Sequence, residues 1–468
     1  MTGSHRDFVS GGPTLMFSGF IAMFFAYSLL FTLGVLLMTP YYAWRYRKTS
    51  FLRESWRERW GFLPESFQQS RRESIWVHAV SVGETLAIAG LVQKLRRRHP
   101  EIDIFMSHVT PAGRETGERK LPELRGRFYL PLDWPGPVRR VLNRIRPALL
   151  IIMETEIWPN LLRTAHQAGA KVVLVNARLS DRSLRGYRLF RFFMRRVFDH
   201  VDAVFAQTPA DAARFLEIGA PRERVFVMGN LKFDGQPQGN CEFADFLKQS
   251  VTRAERWPVW VAASTMAGEE EQVLIAWREI CAQHPRALLI LAPRHPARCD
   301  EVARLLREEG LEWIRRSALA KGIEELDRAL RSPGILLLDT LGELASLFEL
   351  ADLVFIGGSL VPTGGHNLLE PARWGKPVLF GPHMENFRDA AQILLQSKAA
   401  IQVRNAKELA QEMLRLLQNE GQRRALGEAA RSVVERESGA TERILERIAQ
   451  LLNSVPSAPR LGSGSVQG

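Results

Sequence analysis

Cysteine is scarce in this chain of 468 residues: there are three, Cys241, Cys281 and Cys299, with no C-x-x-C pair and no set of histidines beside them. That excludes a disulfide framework and a structural zinc site, and it suits a catalytic part kept reduced in the cytoplasm. There is no Walker A loop and no G-x-G-x-x-G opening the first βα unit, so kinase-like and dehydrogenase-like readings lose their signature. No D-x-D triplet occurs, so the sequence lacks the carboxylate pair that grips a nucleotide-sugar diphosphate through a metal. No segment repeats with a period of about 20–50 residues, which sets solenoids and propellers aside.

Charge of either sign is missing from Val9 to Trp44, and Leu15 to Met38 is almost wholly apolar. As a helix this run would be roughly 36 Å long, enough to cross a hydrocarbon core of about 30 Å, and it reads as one transmembrane helix. A cleaved signal peptide fits less well, because the apolar run is too long and no A-x-A site follows. Arg45, Arg47, Lys48, Arg53, Arg57 and Arg59 follow the run, whereas His5, Arg6 and Asp7 precede it. The positive-inside bias then puts the large C-terminal part in the cytoplasm. Tyr41, Tyr42, Trp44 and Tyr46 would lie at the interface, with Phe51, Trp56 and Trp60 among the arginines beyond it.

What remains is ordinary for folded protein: 46% hydrophobic and 24% charged residues argue against disorder, and 468 residues argue for about two domains. A net charge of +12 favours an acidic partner. A nucleic acid is disfavoured, because the basic and aromatic residues cluster beside the apolar run rather than along a groove motif.

After residue 70, short β-rich runs alternate with helical patterns, the mark of parallel α/β architecture. Strands are expected at Ile75–Val80, Ile102–Met106, Ala148–Met153, Lys171–Val175, Ala203–Ala206 and Val225–Met228, forming one doubly wound domain. A polar linker at Asp234–Asn240 is followed by a second series at Val259–Ala263, Ala287–Leu291, Ile335–Leu338, Leu353–Ile356 and Val378–Phe380, then by helices to about 452. The Ser-, Pro- and Gly-rich tail from Ser454 reads as disordered. Ligands of such sheets bind at the carboxyl ends of strands, so motifs belong just after strands.

The first such motif ends in Ser81-Val82-Gly83-Glu84 and puts a carboxylate at a helix start. A helix N-terminus lowers a carboxyl pKa, so burial must offset the dipole if Glu84 is to serve as a base; otherwise Glu84 only complements that dipole. Glu154 and Glu156 follow the apolar strand ALLIIM; one is expected to point toward a ligand and the other to cap the next helix. Lys232 follows the last strand of the first domain, where a cation could hold developing negative charge or simply face water. In the second domain, Arg294 of Ala292-Pro293-Arg294-His295-Pro296 could grip a phosphate bidentately. The glycine-rich stretch from Gly357 to Pro371 reads as strand, loop and helix start, suited to an anion; Asn367 and Glu370 share a face there, where a carboxylate could accept ribose hydroxyls.

WVHAVSVGE (76–84), METEIWPN (153–160), NARLSDRS (176–183), GNLKFD (229–234), PRHP (293–296), DTLGEL (339–344) and GGHNLLEP (364–371) occur in this order, and together they resemble the Kdo (3-deoxy-D-manno-octulosonic acid) transferases from the apolar helix to about residue 450. The resemblance implies an inverting, metal-independent GT-B glycosyltransferase without cofactor, its two Rossmann-like domains facing across a cleft. It implies CMP-Kdo as donor and the glucosamine disaccharide of the lipid A precursor as acceptor, at the bacterial inner membrane. Residues 1–48 would be the anchor and basic flank, 49–234 the acceptor-binding domain, 235–453 the donor-binding domain and 454–468 a tail. Glu84 matches the family's general base. Glu154 and Lys232 match groups that support the transition state, and Pro293, Arg294, Gly342, Glu343, Leu344, Asn367, Leu368, Leu369 and Glu370 match CMP contacts. Met266, Ala267, Thr363, Arg114 and Glu385 depart from the usual family pattern. A uridine-nucleotide GT-B enzyme and a catalytically silent two-domain binding protein are the alternatives.

Overall fold

Runs such as ALLIIM and VVLV have no polar alternation, and strands of that kind are stable only when both faces of the sheet are covered. The computed structural model, which describes residues 14–45, 51–67, 73–235, 241–319, 327, 330 and 334–453, places each run accordingly. Arg47, Lys48, Tyr46, most of the expected linker and the tail from Ser454 lie outside the described residues.

The first unit is built on β1 (Ser74–His78), β2 (Asp103–His108), β3 (Gly126–Tyr129), β4 (Pro147–Met153), β5 (Lys171–Ala177), β6 (Ala203–Ala206) and β7 (Val225–Val227). They pair in parallel in the order β3-β2-β1-β4-β5-β6-β7. The order reverses between β1 and β4, the switch point where loops diverge to opposite faces and leave a crevice. Trp76, Leu150, Ile152 and Val172 pack one face with helices 135–145 and 159–167, while Val77, Ile151, Val173 and Phe205 pack the other with helix 82–98.

The second unit has the same plan, with β8 (Val259–Thr265), β9 (Leu288–Pro293), β10 (Trp313–Arg315), β11 (Ile335–Leu337), β12 (Leu353–Ile356), β13 (Val378–Phe380) and β14 (Ile401–Gln402). Its parallel order is β10-β11-β9-β8-β12-β13-β14, with the switch between β8 and β12. β3, β10 and β14 were absent from the expected strands, and all three are edges. β7, the remaining edge, was among the expected strands, so an edge position weakens the apolar signal without removing it.

The units divide between Asp234 and Gly235, and again between Ser438 and Gly439. The second unit therefore ends at Ser438, not at residue 453 as expected, because helix Ala440–Asn453 returns to the first unit. Ala440, Ile444, Leu445 and Ile448 complete the core that holds Ile88, Leu91 and Phe205. Asp234 caps the returning helix: Gly439 N–H donates to its Oδ1 at 2.6 Å and Thr441 N–H donates to its Oδ2. Lys94 adds an ion pair to Glu442 at 2.6 Å.

Candidate active site

At the switch point of the first sheet, β1 runs into Ser81, which caps helix Val82–Arg98. Glu84 sits in the first turn of this helix and folds back. Val80 N–H donates to Glu84 Oε2 at 2.9 Å and the Ser81 hydroxyl donates to Oε1 at 3.0 Å. These bonds and the helix dipole favour the charged form, but burial outweighs them, and with added repulsion from Glu154 and Glu156 the carboxyl rises from 4.5 to about 7. Glu84 is therefore a cap in geometry and also a group poised to exchange a proton near neutral pH.

β4, the strand beside β1, delivers Glu154 and Glu156. The chain does not continue extended: Glu154 takes a left-handed φ of 54°, so the two carboxylates are not held to the single face that a continuing strand would give residues two apart. Arg178, just past β5, donates from Nε to Glu154 Oε2 at 3.0 Å, and Trp158 Nε1 donates to Glu156 Oε2 at 2.9 Å. Burial raises the Glu156 carboxyl as well. Neither glutamate caps helix Pro159–Gln167. That role falls to buried Asp133, which receives Asn160 N–H at 3.1 Å and Leu161 N–H at 2.7 Å. The sequence offered no local sign of it, since the cap comes from 27 residues away.

Lys232 lies half-buried on a 3-10 turn after β7, and a polar brace fixes this turn. Asn176, at a φ of 55° that asparagine tolerates better than most residues, receives Leu231 N–H on Oδ1 at 3.0 Å. Gln207 Nε2 donates to Asn176 O at 2.9 Å, and Asn230 Nδ2 donates to Gln207 Oε1 at 3.0 Å. Asn176 begins the NARLSDRS motif, so that motif holds the GNLKFD turn.

In the second unit the motifs emerge from the carboxyl ends of four adjacent strands, β11, β9, β8 and β12. Pro293 ends β9, and exposed Arg294 donates its N–H to Thr265 O at 3.0 Å. Arg294 and His295 stand close enough to His366 that their charges, after burial as the main cause, help push it down to about 4. PRHP and GGHNLLEP thus meet, with His366 held neutral beside the Arg294 guanidinium. Asn367 Nδ2 donates to Glu370 Oε1 at 2.9 Å, and Leu368 and Leu369 are buried anchors of the turn. Gly342 takes a φ of 89°; Glu343 is clamped by Arg316, whose Nη2 donates to Oε1 at 2.8 Å; and Leu344 opens a short helix. Trp374 Nε1 donates to Ala345 O at 3.1 Å and ties this segment to the end of GGHNLLEP.

The glycine stretch divides into two parts with different duties. Gly358, Ser359 and Leu360 point their N–H groups at Glu269, at 2.5, 2.9 and 2.8 Å, and Met266 N–H adds a fourth bond at 2.9 Å. A buried carboxylate thus fills the nest expected to cradle an anion, and any phosphate must be met further along. Gly364 and Gly365, at φ of 93° and 71°, pass so close to Asn386 and Met384 that a Cβ would collide. Sequence reading singled out AASTMAGEE for Met266 and Ala267 and missed Glu269; Met266 contributes only its backbone N–H to this cluster, and Ala267 is exposed. Thr363 donates to Gly358 O at 3.0 Å, Arg114 pairs with Glu58 at 3.0 Å over the Tyr129 ring, and Glu385 lies exposed 3.7 Å from His383.

The family model described as 3-deoxy-D-manno-octulosonic-acid transferase (kdotransferase) matches residues 54–235. The 3-deoxy-D-manno-octulosonic acid transferase of Haemophilus influenzae is 34% identical over 400 residues, covering 85% of this chain and 92% of that protein. Its counterpart from Bordetella pertussis is 38% identical over 387 residues, covering 80% of this chain and 86% of that protein. Among solved structures, a UDP-N-acetylglucosamine 2-epimerase superposes with a TM-score of 0.53 at 13% identity, covering 84% of this chain and 100% of that one, a likeness of fold alone. With two parallel seven-stranded sheets of the GT-B kind and this kinship over most of its length, the chain belongs to the 3-deoxy-D-manno-octulosonic acid transferase family of glycosyltransferases.

Proposed function

We propose that the protein transfers Kdo from CMP-Kdo to the glucosamine disaccharide of the lipid A precursor, with inversion and without a metal ion, while attached to the inner membrane with its catalytic units in the cytoplasm. Kinship to the 3-deoxy-D-manno-octulosonic acid transferases supports Kdo as the sugar transferred. The single observation that carries the chemistry is Glu84: a partly buried carboxyl in the first turn of the helix that follows β1, raised to about 7. An acceptor alcohol is a weak nucleophile. Glu84 takes its proton as the oxygen bonds to the anomeric carbon of Kdo, and the bond from that carbon to the CMP phosphate oxygen breaks, with the electron pair leaving on CMP. Lys232 and Glu154 stabilise charge in the transition state. Pro293, Arg294, Gly342, Glu343, Leu344 and Asn367 to Glu370 hold CMP, the Arg294 guanidinium suiting its phosphate. The apolar helix Thr14–Arg45 supports membrane attachment.

The decisive experiment is mass spectrometry of the product formed from purified protein, CMP-Kdo and lipid acceptor in excess chelator. A mass increase by Kdo is expected. No product with CMP-Kdo, but turnover with a uridine diphosphate sugar and magnesium, would replace the donor assignment.

A further inference from the structure

The helix Thr14–Arg45 has 32 residues and contains Ala22–Tyr41, a stretch of 20 residues long and apolar enough to cross a bilayer. One of its faces is nevertheless committed to the first unit. Phe24 is 1% exposed, with Arg163 stacked 4.3 Å over its ring and Phe193 edge-on at 5.4 Å. The Tyr27 hydroxyl donates to buried Asp133 at 2.8 Å, and Asn160 Nδ2 donates to Ser28 Oγ at 3.0 Å. Phe31 packs edge-on to Trp134 at 5.8 Å, and Trp134 Nε1 donates to Thr32 Oγ1 at 2.9 Å. Positions 24, 27, 28, 31 and 32 form one helical stripe, so this is a designed face rather than a chance touch.

The contact divides the helix. Residues 14–23 lie before it and residues 33–45 after it, about 15 and 20 Å of helix. Each is short of a hydrocarbon core of about 30 Å. Crossing with the contact intact would pull Asp133, Arg163 and the arginines of helix Arg191–Phe198 into lipid, where charge is costly.

The opposite face is apolar and open: Phe25, Leu29, Leu30, Leu33, Leu36 and Leu37 are 49–74% exposed. It adjoins a second apolar projection. Phe193 packs on Phe24 and Tyr27, and beside it Leu189, Phe190 and Phe192 are 83%, 65% and 71% exposed at the corner between helices 181–189 and 191–198. Exposed Arg182, Arg185 and Arg195 flank this corner. Apolar residues rimmed by arginine match an anionic lipid leaflet.

We propose that helix Thr14–Arg45 stays docked on the first unit and, together with the Leu189–Phe192 corner, sits in one leaflet of the membrane instead of crossing it. The proposal rests on the membrane attachment inferred above and changes its topology. Its test is protease access to an epitope fused ahead of Met1 in the full-length protein, in intact spheroplasts and in inverted inner-membrane vesicles. Loss of the epitope from the inverted vesicles together with the catalytic units, and survival in spheroplasts, is expected. Cleavage of the epitope from outside spheroplasts while the units stay protected overturns the proposal and leaves attachment standing. Recovery of the protein in the soluble fraction without detergent overturns both. Whether Kdo is transferred is read separately, from turnover in the same vesicles. A second measurement uses Phe24→Cys with Phe193→Cys and a short bis-maleimide, the linked peptide being detected by mass spectrometry. Linkage in native membranes is expected; linkage in detergent but not in membranes overturns the docked state in lipid.

Discussion

Glu84→Gln separates a proton acceptor from a helix cap more cleanly than any other change, because the amide keeps the size of the side chain and one acceptor for Val80 N–H. If Glu84 removes the acceptor proton, single-turnover rates should fall by about 10²–10⁴-fold, while CMP binding by calorimetry stays unchanged. In the wild type the rate should climb as pH rises through about 7, where Glu84 loses its proton, and the variant should lack this limb. Stability supplies an independent readout. A carboxyl that titrates at about 7 when folded, against 4.5 ordinarily, binds its proton more tightly in the fold. The resulting stabilisation is full below 4.5 and is lost as pH rises through about 7. The shift corresponds to at most about 3 kcal/mol. Glutamine does not titrate, so the variant should gain stability relative to wild type by up to that amount between pH 5 and 8, in urea melts. Near wild-type turnover in the variant, or a wild-type rate flat across pH 6–8, would refute the assignment and direct attention to Glu154.

Lys232→Ala should slow turnover at every pH where the protein is folded, without shifting the pH limb, since the lysine supplies charge and not a proton; rate profiles of the two proteins check this. Glu269→Gln leaves some of four N–H donors, two of them buried, without a charged acceptor and should cost about 3 kcal/mol in urea unfolding, with CMP affinity reduced as the loop after β12 loosens. Asp234→Ala removes both caps of helix Ala440–Asn453 and should cost about 1–2 kcal/mol, read from the urea midpoint of the full-length protein.

The central strands were legible because they are covered on both faces and leave apolar runs in the sequence: Ala203–Ala206, Leu353–Ile356 and Val378–Phe380 coincide with the observed strands at both ends. The edge strand Gly126–Tyr129 leaves no comparable mark, since Gly126 and Arg127 break its apolar run. Glu84 could be picked out because helix start and strand end adjoin in sequence, but its pKa depends on burial and on Glu154 and Glu156, which reach it through the pairing of β1 with β4. Glu269 could not be assigned its duty: the N–H groups it binds lie about 90 residues further along, and the glycines there look equally suited to a phosphate. The stripe of Phe24, Tyr27, Ser28, Phe31 and Thr32 is present in the sequence, but its small polar members are few enough to pass within a hydrophobic run.

The return of helix Ala440–Asn453 to the first unit bears on synthesis. When Asp234 leaves the ribosome, the first sheet has all its strands, yet the trough between helix 82–98 and Phe205 still lacks Ala440, Ile444, Leu445 and Ile448. About 200 residues of the second unit must be made first. At about 5–20 residues per second this is a wait of roughly 10–40 s with an uncovered apolar trough on a nascent chain. The core of the first unit thus stays incomplete until helix Ala440–Asn453 has been made. Closure of that core therefore waits on synthesis of the second unit, and a chain that stops before Ala440 keeps the apolar trough open.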